Sequence, residues 1–200
     1  MAFLKIRALY TPALAFLLFL AACGNTPGDS QRSAAEGDPA FAALNDSIRK
    51  YPENGALYLR RATRLTLINA HDLASADFKK AWSLEPSVET ALPYAANLRI
   101  LGKDSERLDL LRAGSERFPA NAQLQRLLGD AYSGNGNQDM ALQQYRQILN
   151  GNPNDFETWY EMALLQEQLK DTAGAISSLQ KAYGLKKVAT YGLELAHPYA

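Results

Sequence analysis

Four stretches of this chain fall into register when one is slid along the next by 33 or 34 residues. Ala62, Ala95, Gly129 and Ala163 then share one column, at intervals of 33, 34 and 34 residues. Twelve positions on stand Ala74, Arg107, Ala141 and Ala175. Four further come Phe78, Leu111, Tyr145 and Leu179, and three beyond those Ala81, Gly114, Ile148 and Ala182. Pro52, Pro86, Pro119 and Pro153 punctuate the joints. A unit this short cannot cover its own apolar face. Units in register therefore stack, each burying the face of the one before, and the chain is restricted to an elongated array.

The columns have a physical reading as helix pairs. Small residues let two helices approach closely, and large ones such as Phe78, Tyr132 and Tyr145 fill the space between units. Proline ends a helix because it lacks the amide proton and clashes with the preceding turn. Gly102 and Gly136 suit tight turns before second helices. Asp72, Asp104, Asp139 and Asp171 fall where a carboxylate can cap free amides, and Asn154 with Glu157 has capping-box spacing.

These spacings resemble the tetratricopeptide repeat (TPR), and the likeness covers residues 38–200. The resemblance implies an all-α fold, a right-handed superhelical solenoid of antiparallel helix pairs. About four units are expected, near 55–87, 88–121, 122–155 and 156–188, with partial helices at the ends. Leu195-Ala196-x-x-Tyr199 repeats the pattern of Leu128-Gly129-x-x-Tyr132 and opens a partial fifth unit over 189–200. That leaves open a short cap or a fragment of a longer array. Unit two departs from the family: Ala91 replaces Trp, Arg107 replaces Ala, and Pro93 falls inside the first helix. It is expected to be the loosest unit, with a delayed helix start.

The front of the chain is of another kind. Lys5 and Arg7 precede a nearly continuous apolar run from Ala8 to Leu20, shorter than the ~20 residues needed to span a bilayer. Charged, then apolar, then small is the order of a secretory signal peptide, here residues 1–22. Leu20-Ala21-Ala22-Cys23 resembles the lipobox of bacterial lipoproteins. The resemblance implies cleavage after Ala22 and acylation of Cys23, the chain's single cysteine. Each buried acyl methylene adds ~0.8 kcal/mol, so several chains anchor a protein lastingly to a lipid bilayer. Residues 23–37, small and polar, read as a lipidated flexible tether. Gly24 after the cysteine, by resemblance to enterobacterial sorting, favours the outer membrane, and with no acidic run after the cysteine the default is the face toward the periplasm.

Composition removes several functions. Lys plus Arg and Asp plus Glu both number 21, so no charge excess points to nucleic acid. One cysteine with His71 and His197 is poor material for a metal site. No phosphate-cradling loop or nucleophile elbow appears. The chain reads as no enzyme, with no cofactor. What remains is the surface a solenoid offers. Family geometry puts first helices on the concave side, and with them a binding groove of Leu59, Thr63, Leu67, Arg99, Ile100, Arg126, Asp130, Tyr160, Leu164 and Glu167. Arg126 and Asp130, four residues apart, share a helix face. This suits an extended envelope protein or peptide, making the chain a membrane-anchored protein-interaction scaffold for an assembly, secretion or cell-wall complex. The alternative is a receptor-like module for an extracellular ligand such as a glycan. The oligomeric state is not legible.

Replacing Cys23 with Ala removes the nucleophile that accepts lipid. Metabolic fatty-acid labelling is expected to disappear in this variant; labelling that persists rules out the lipobox.

Overall fold

The computed structural model describes residues 39–186, which form nine α-helices and no strands. The apolar leader, Cys23, the tether and the partial fifth unit lie outside the described residues. The helices are α1 (Pro39–Lys50), α2 (Gly55–Leu67), α3 (His71–Leu84), α4 (Val88–Ile100) and α5 (Asp104–Arg117). They continue with α6 (Ala122–Gly134), α7 (Gln138–Gly151), α8 (Phe156–Gln168) and α9 (Thr172–Lys186). After the lone α1, they run as antiparallel pairs α2–α3, α4–α5, α6–α7 and α8–α9. Each pair packs on the next, so the fold is an all-α solenoid.

The repeat columns are the contacts. Ala62, Ala74, Phe78, Ala81, Leu111 and Ala141 are fully buried, and Ala95 and Ala163 nearly so. The closest approach lies in the third pair. A Cβ added to Gly129 would stand 2.5 Å from Cε1 of Tyr145, so only glycine lets that buried ring lie against α6. Between the first and second pairs Phe78 stacks on Tyr94, with ring centroids 5.8 Å apart.

Most units also repeat the same polar devices at their turns. The residue two places before α3, α5, α7 or α9 is left-handed: Asn69 (φ 57°), Gly102 (65°), Gly136 (78°) and Lys170 (61°). Glycine takes this conformation without steric cost and Asn with little, whereas at Lys170 it is a strained choice. Three of the four first helices, α4, α6 and α8, are capped by the side chains of Ser87, Asn121 and Asp155, which accept from the amides of Thr90, Leu124 and Thr158; Asn54 before α2 makes no such bond. The cap of α8 is therefore Asp155, one residue after the Asn154 expected from the capping-box spacing. Of the four aspartates expected as caps, only Asp171 serves, accepting from the amide of Gly174 at 3.0 Å. Asp72, Asp104 and Asp139 lie inside the first turns, where a carboxylate still opposes the positive end of the helix dipole.

A third device ties the joints. Tyr58 donates its hydroxyl to the carbonyl of Pro52 at 3.0 Å, and Trp159 its indole N–H to that of Pro153 at 2.8 Å. Gln125 donates its amide to the carbonyl of Pro119. The corresponding residue of unit two is Ala91, which has no donor. That unit compensates elsewhere. Helix α4 starts at Val88 without delay, runs through Pro93, and is held at its front by Ser87. Within α4, wholly buried Asn97 donates to the carbonyl of His71 at 3.0 Å and pairs with the His71 ring at 2.9 Å. His71 is thus a half-buried link between units one and two.

Successive first helices also touch one another: α2 meets α4, α4 meets α6, and α6 meets α8. Successive second helices scarcely meet. The first helices therefore form the inner, tighter layer of the curve, and their outward-turned side chains line its concave side.

Gly129→Ala is expected to cost on the order of 1–3 kcal/mol through overpacking on Tyr145. Gly134→Ala, at a position with nothing within 4 Å, serves as the control. Thermal unfolding of the two variants checks this: a lowered Tm for the first and an unchanged or raised one for the second.

Candidate functional site

The inner layer divides into an apolar front and a charged rear. At the front Leu67 is 79 % exposed and Ile100 is 60 % exposed. They are 33 residues apart and hold the same place, at the end of α2 and of α4. Leu59 is half-buried against the core, and Thr63 is exposed with its hydroxyl donated to the carbonyl of Leu59. The basic cluster Arg60, Arg61 and Arg64 does not act as one surface. Arg61 turns inward, making two hydrogen bonds to Asp77 at 2.6 and 2.7 Å and one to Asn45 at 2.7 Å. It joins α1, α2 and α3; Arg60 and Arg64 stay exposed.

At the rear two adjoining clefts open between the inner helices. The larger, about 400 Å3, is lined by Arg99, Arg107, Asp130, Tyr145, Glu161 and Leu164 among others. The smaller, about 290 Å3, is lined by Gln123, Arg126, Leu127, Glu157 and Tyr160, and shares Asp130 and Glu161 with its neighbour. Of the groove residues expected from sequence, these clefts bring together Arg99, Arg126, Asp130, Tyr160 and Leu164. Leu59, Thr63, Leu67, Ile100 and the exposed Glu167 line neither.

Arg126 and Asp130 share a helix face but do not pair with each other. Arg126 reaches across to unit four, donating to Asp155 at 2.9 and 3.1 Å and to the carboxylate of Glu157. Asp155 is thus both the cap of α8 and the anchor of Arg126. Asp130 instead accepts the hydroxyl of Tyr145 at 2.5 Å. Three members of the rear site were not singled out from sequence. Tyr145 and Arg107 stand on packing columns, and Glu161 sits between core residues of α8. The available signal was Arg107 itself, a charge in a column that otherwise holds alanine.

Burial dominates the electrostatics here. It lifts the Asp130 carboxyl above its usual range, against the pull of the Tyr145 hydrogen bond and of Arg107. It lifts Glu161 likewise, and repulsion from Asp130 adds to the rise. The Tyr145 hydroxyl is driven upward by burial and by the Asp130 charge, so it stays protonated and donates. The Arg107 guanidinium is lowered by burial.

The class this geometry defines is a solenoid of antiparallel helix pairs. A sequence profile of the family "Tetratricopeptide repeat" matches residues 156–188, the unit formed by α8 and α9. Among solved structures, the chain is similar to MamA, with 20 % identity over 81 % of this chain and 95 % of that one, at a TM-score of 0.66. It is similar also to MamA from Desulfovibrio magneticus RS-1, with 18 % identity, 80 % and 95 % coverage, and a TM-score of 0.64. TTC0263, a thermophilic TPR protein of Thermus thermophilus, shares 22 % identity over 72 % and 81 % of the two chains, at 0.58. At these identities the likeness is one of fold. Comparison with curated proteins gives no match. No helix among the described residues is long and apolar enough to cross a membrane.

A carboxyl whose folded pKa is raised binds its proton more tightly in the folded chain than in the unfolded one. Its contribution to stability is fully present below the unfolded carboxylate range, ~4, and is lost as pH rises through the raised value. Glu161→Gln removes that cost and the repulsion with Asp130. The variant is expected to melt above the parent at pH 7, with the gap closing as the pH falls below the carboxylate range. Melting curves across that pH series check it; a lower Tm at pH 7 contradicts the burial argument.

Proposed function

We propose that the chain is a lipid-anchored, non-catalytic scaffold of the bacterial cell envelope, holding an extended segment of a protein partner along its concave face. The observation that carries this reading is the pair of solvent-exposed apolar side chains, Leu67 and Ile100, at one repeated place on adjoining inner helices. Large side chains left bare in register on the inside of a curve form a stripe for an apolar partner segment. The anchor rests on the sequence Leu20-Ala21-Ala22-Cys23, the outer membrane on Gly24, and the periplasmic face on the lack of an acidic run after the cysteine. The scaffold role is supported by the solenoid fold and by the TPR profile over the fourth unit.

The test compares the two sides of the solenoid. Leu67→Ala with Ile100→Ala is expected to leave helicity intact and to weaken capture of the envelope partner at least about tenfold, or ~1.4 kcal/mol. Gln143→Ala with Gln147→Ala, both exposed on the outer helix α7, is expected to do little. Arg126 is a poor choice for this test, because its removal strands the buried carboxylate of Asp155. Quantitative pull-down from solubilised envelope reads the outcome. Capture abolished by the outer changes and untouched by the inner ones moves the binding surface to the second helices.

A further inference from the structure

The larger rear cleft contains charges that attract one another across open space without forming a close ion pair. Arg107 is only 8 % exposed, yet among the described residues its guanidinium makes no hydrogen bond and no close ion pair. A guanidinium carries five donors, and those of Arg107 open onto the cleft. Packing does not explain it either, since the same column holds Ala74, Ala141 and Ala175 in the other units. Across the cleft stand Asp130, whose only hydrogen bond is from Tyr145, and Glu161, which makes neither hydrogen bond nor close ion pair among the described residues. Arg99 lines the same wall as Arg107, and the two repel. One side of the cleft thus offers two cations from α4 and α5, and the other two carboxylates from α6 and α8. They face one another without meeting.

A group that bears charge of one sign satisfies one wall and aggravates the other. A group that bears both signs a few ångströms apart satisfies both. We infer that this cleft binds a zwitterion of the α-amino-acid class, its carboxylate on Arg107 and Arg99 and its ammonium between Asp130 and Glu161. A guanidinium is well matched to a carboxylate, giving two parallel, charge-assisted hydrogen bonds. Leu164 and Leu165 supply an apolar wall for the ligand's side chain, and the volume of about 400 Å3 accommodates an amino acid. The charge states agree: burial works against ionisation of Arg107, Asp130 and Glu161, and each would be relieved by a counter-charge. This site is separate from the apolar stripe and does not depend on the partner proposed for it.

The test uses the full chain at neutral pH, melted in the presence of each common L-amino acid in turn at millimolar concentration. At least one amino acid is expected to raise the Tm, and calorimetric titration with it to saturate. Its N-acetyl form, which lacks the ammonium, and its amide, which lacks the carboxylate, are each expected to bind at least about tenfold more weakly. Arg107→Ala restores the residue of the other units, so it is expected to fold with an unchanged or higher Tm while binding drops by a similar factor. Asp130→Asn keeps an acceptor for Tyr145 and is expected to lose binding as well. The inference is overturned if no amino acid shifts the Tm, if the acetyl and amide forms bind as well as the parent, or if Arg107→Ala binds undiminished.

Discussion

Everything in this solenoid depends on how closely the two helices of a pair can approach. A bundle of unrelated helices can trade a large residue here for a small one there. A stack of repeats cannot, because each pair presents its outer face to the next and any widening is passed along. The small column from Ala62 to Ala163 sets that distance, and the column from Phe78 to Leu179 fills what is left. Gly129 marks the limit: the Tyr145 ring occupies the space where a methyl group would stand. That same ring carries its hydroxyl through to Asp130 on the inner face. Core packing and the chemistry of the groove are thus joined in one side chain.

The second theme is the repetition of polar devices at the joints. Left-handed turn residues, N-caps and donors to the joint prolines recur with the same 33- or 34-residue spacing as the core columns. These groups satisfy backbone amides and carbonyls that a chain of short helices leaves free at every end. Where one device is missing, another substitutes. Unit two has no donor at Ala91, but it buries Asn97 and bonds it to His71 of the unit before. Its departures from the repeat pattern are local exchanges of one tie for another, and the helix survives its proline.

The fold was legible because its determinants are periodic: a small residue every 33 or 34 positions means the same thing each time. The groove was less legible because its determinants cross between units. Spacing along one helix brings Arg126 beside Asp130. The partner of Arg126 is Asp155, a cap whose position depends on the curvature of the stack and on a helix starting one residue later than Asn154 suggested. Tyr145 was readable as core, since its column is core in every unit, but nothing in that column announces a hydroxyl reaching inward. Arg107 was readable only as an exception. The exposed Leu67 and Ile100 were the easiest, because exposure at the end of an inner helix follows from register alone.

A stack of helix pairs is also a spring, and its stiffness need not be uniform. Between α6 and α8 the coil is clamped on its inner side by Arg126, which grips both Asp155 and Glu157 of the next turn. Among the described residues no other two inner helices are bridged by charge. Stretching the coil at this joint separates a half-buried cation from two anions and pulls on the carboxylate that caps α8. The earlier joints resist through packing and, between units one and two, through the hydrogen bonds of Asn97 with His71. Opening the joint between units three and four therefore has to break ion pairs as well as packing.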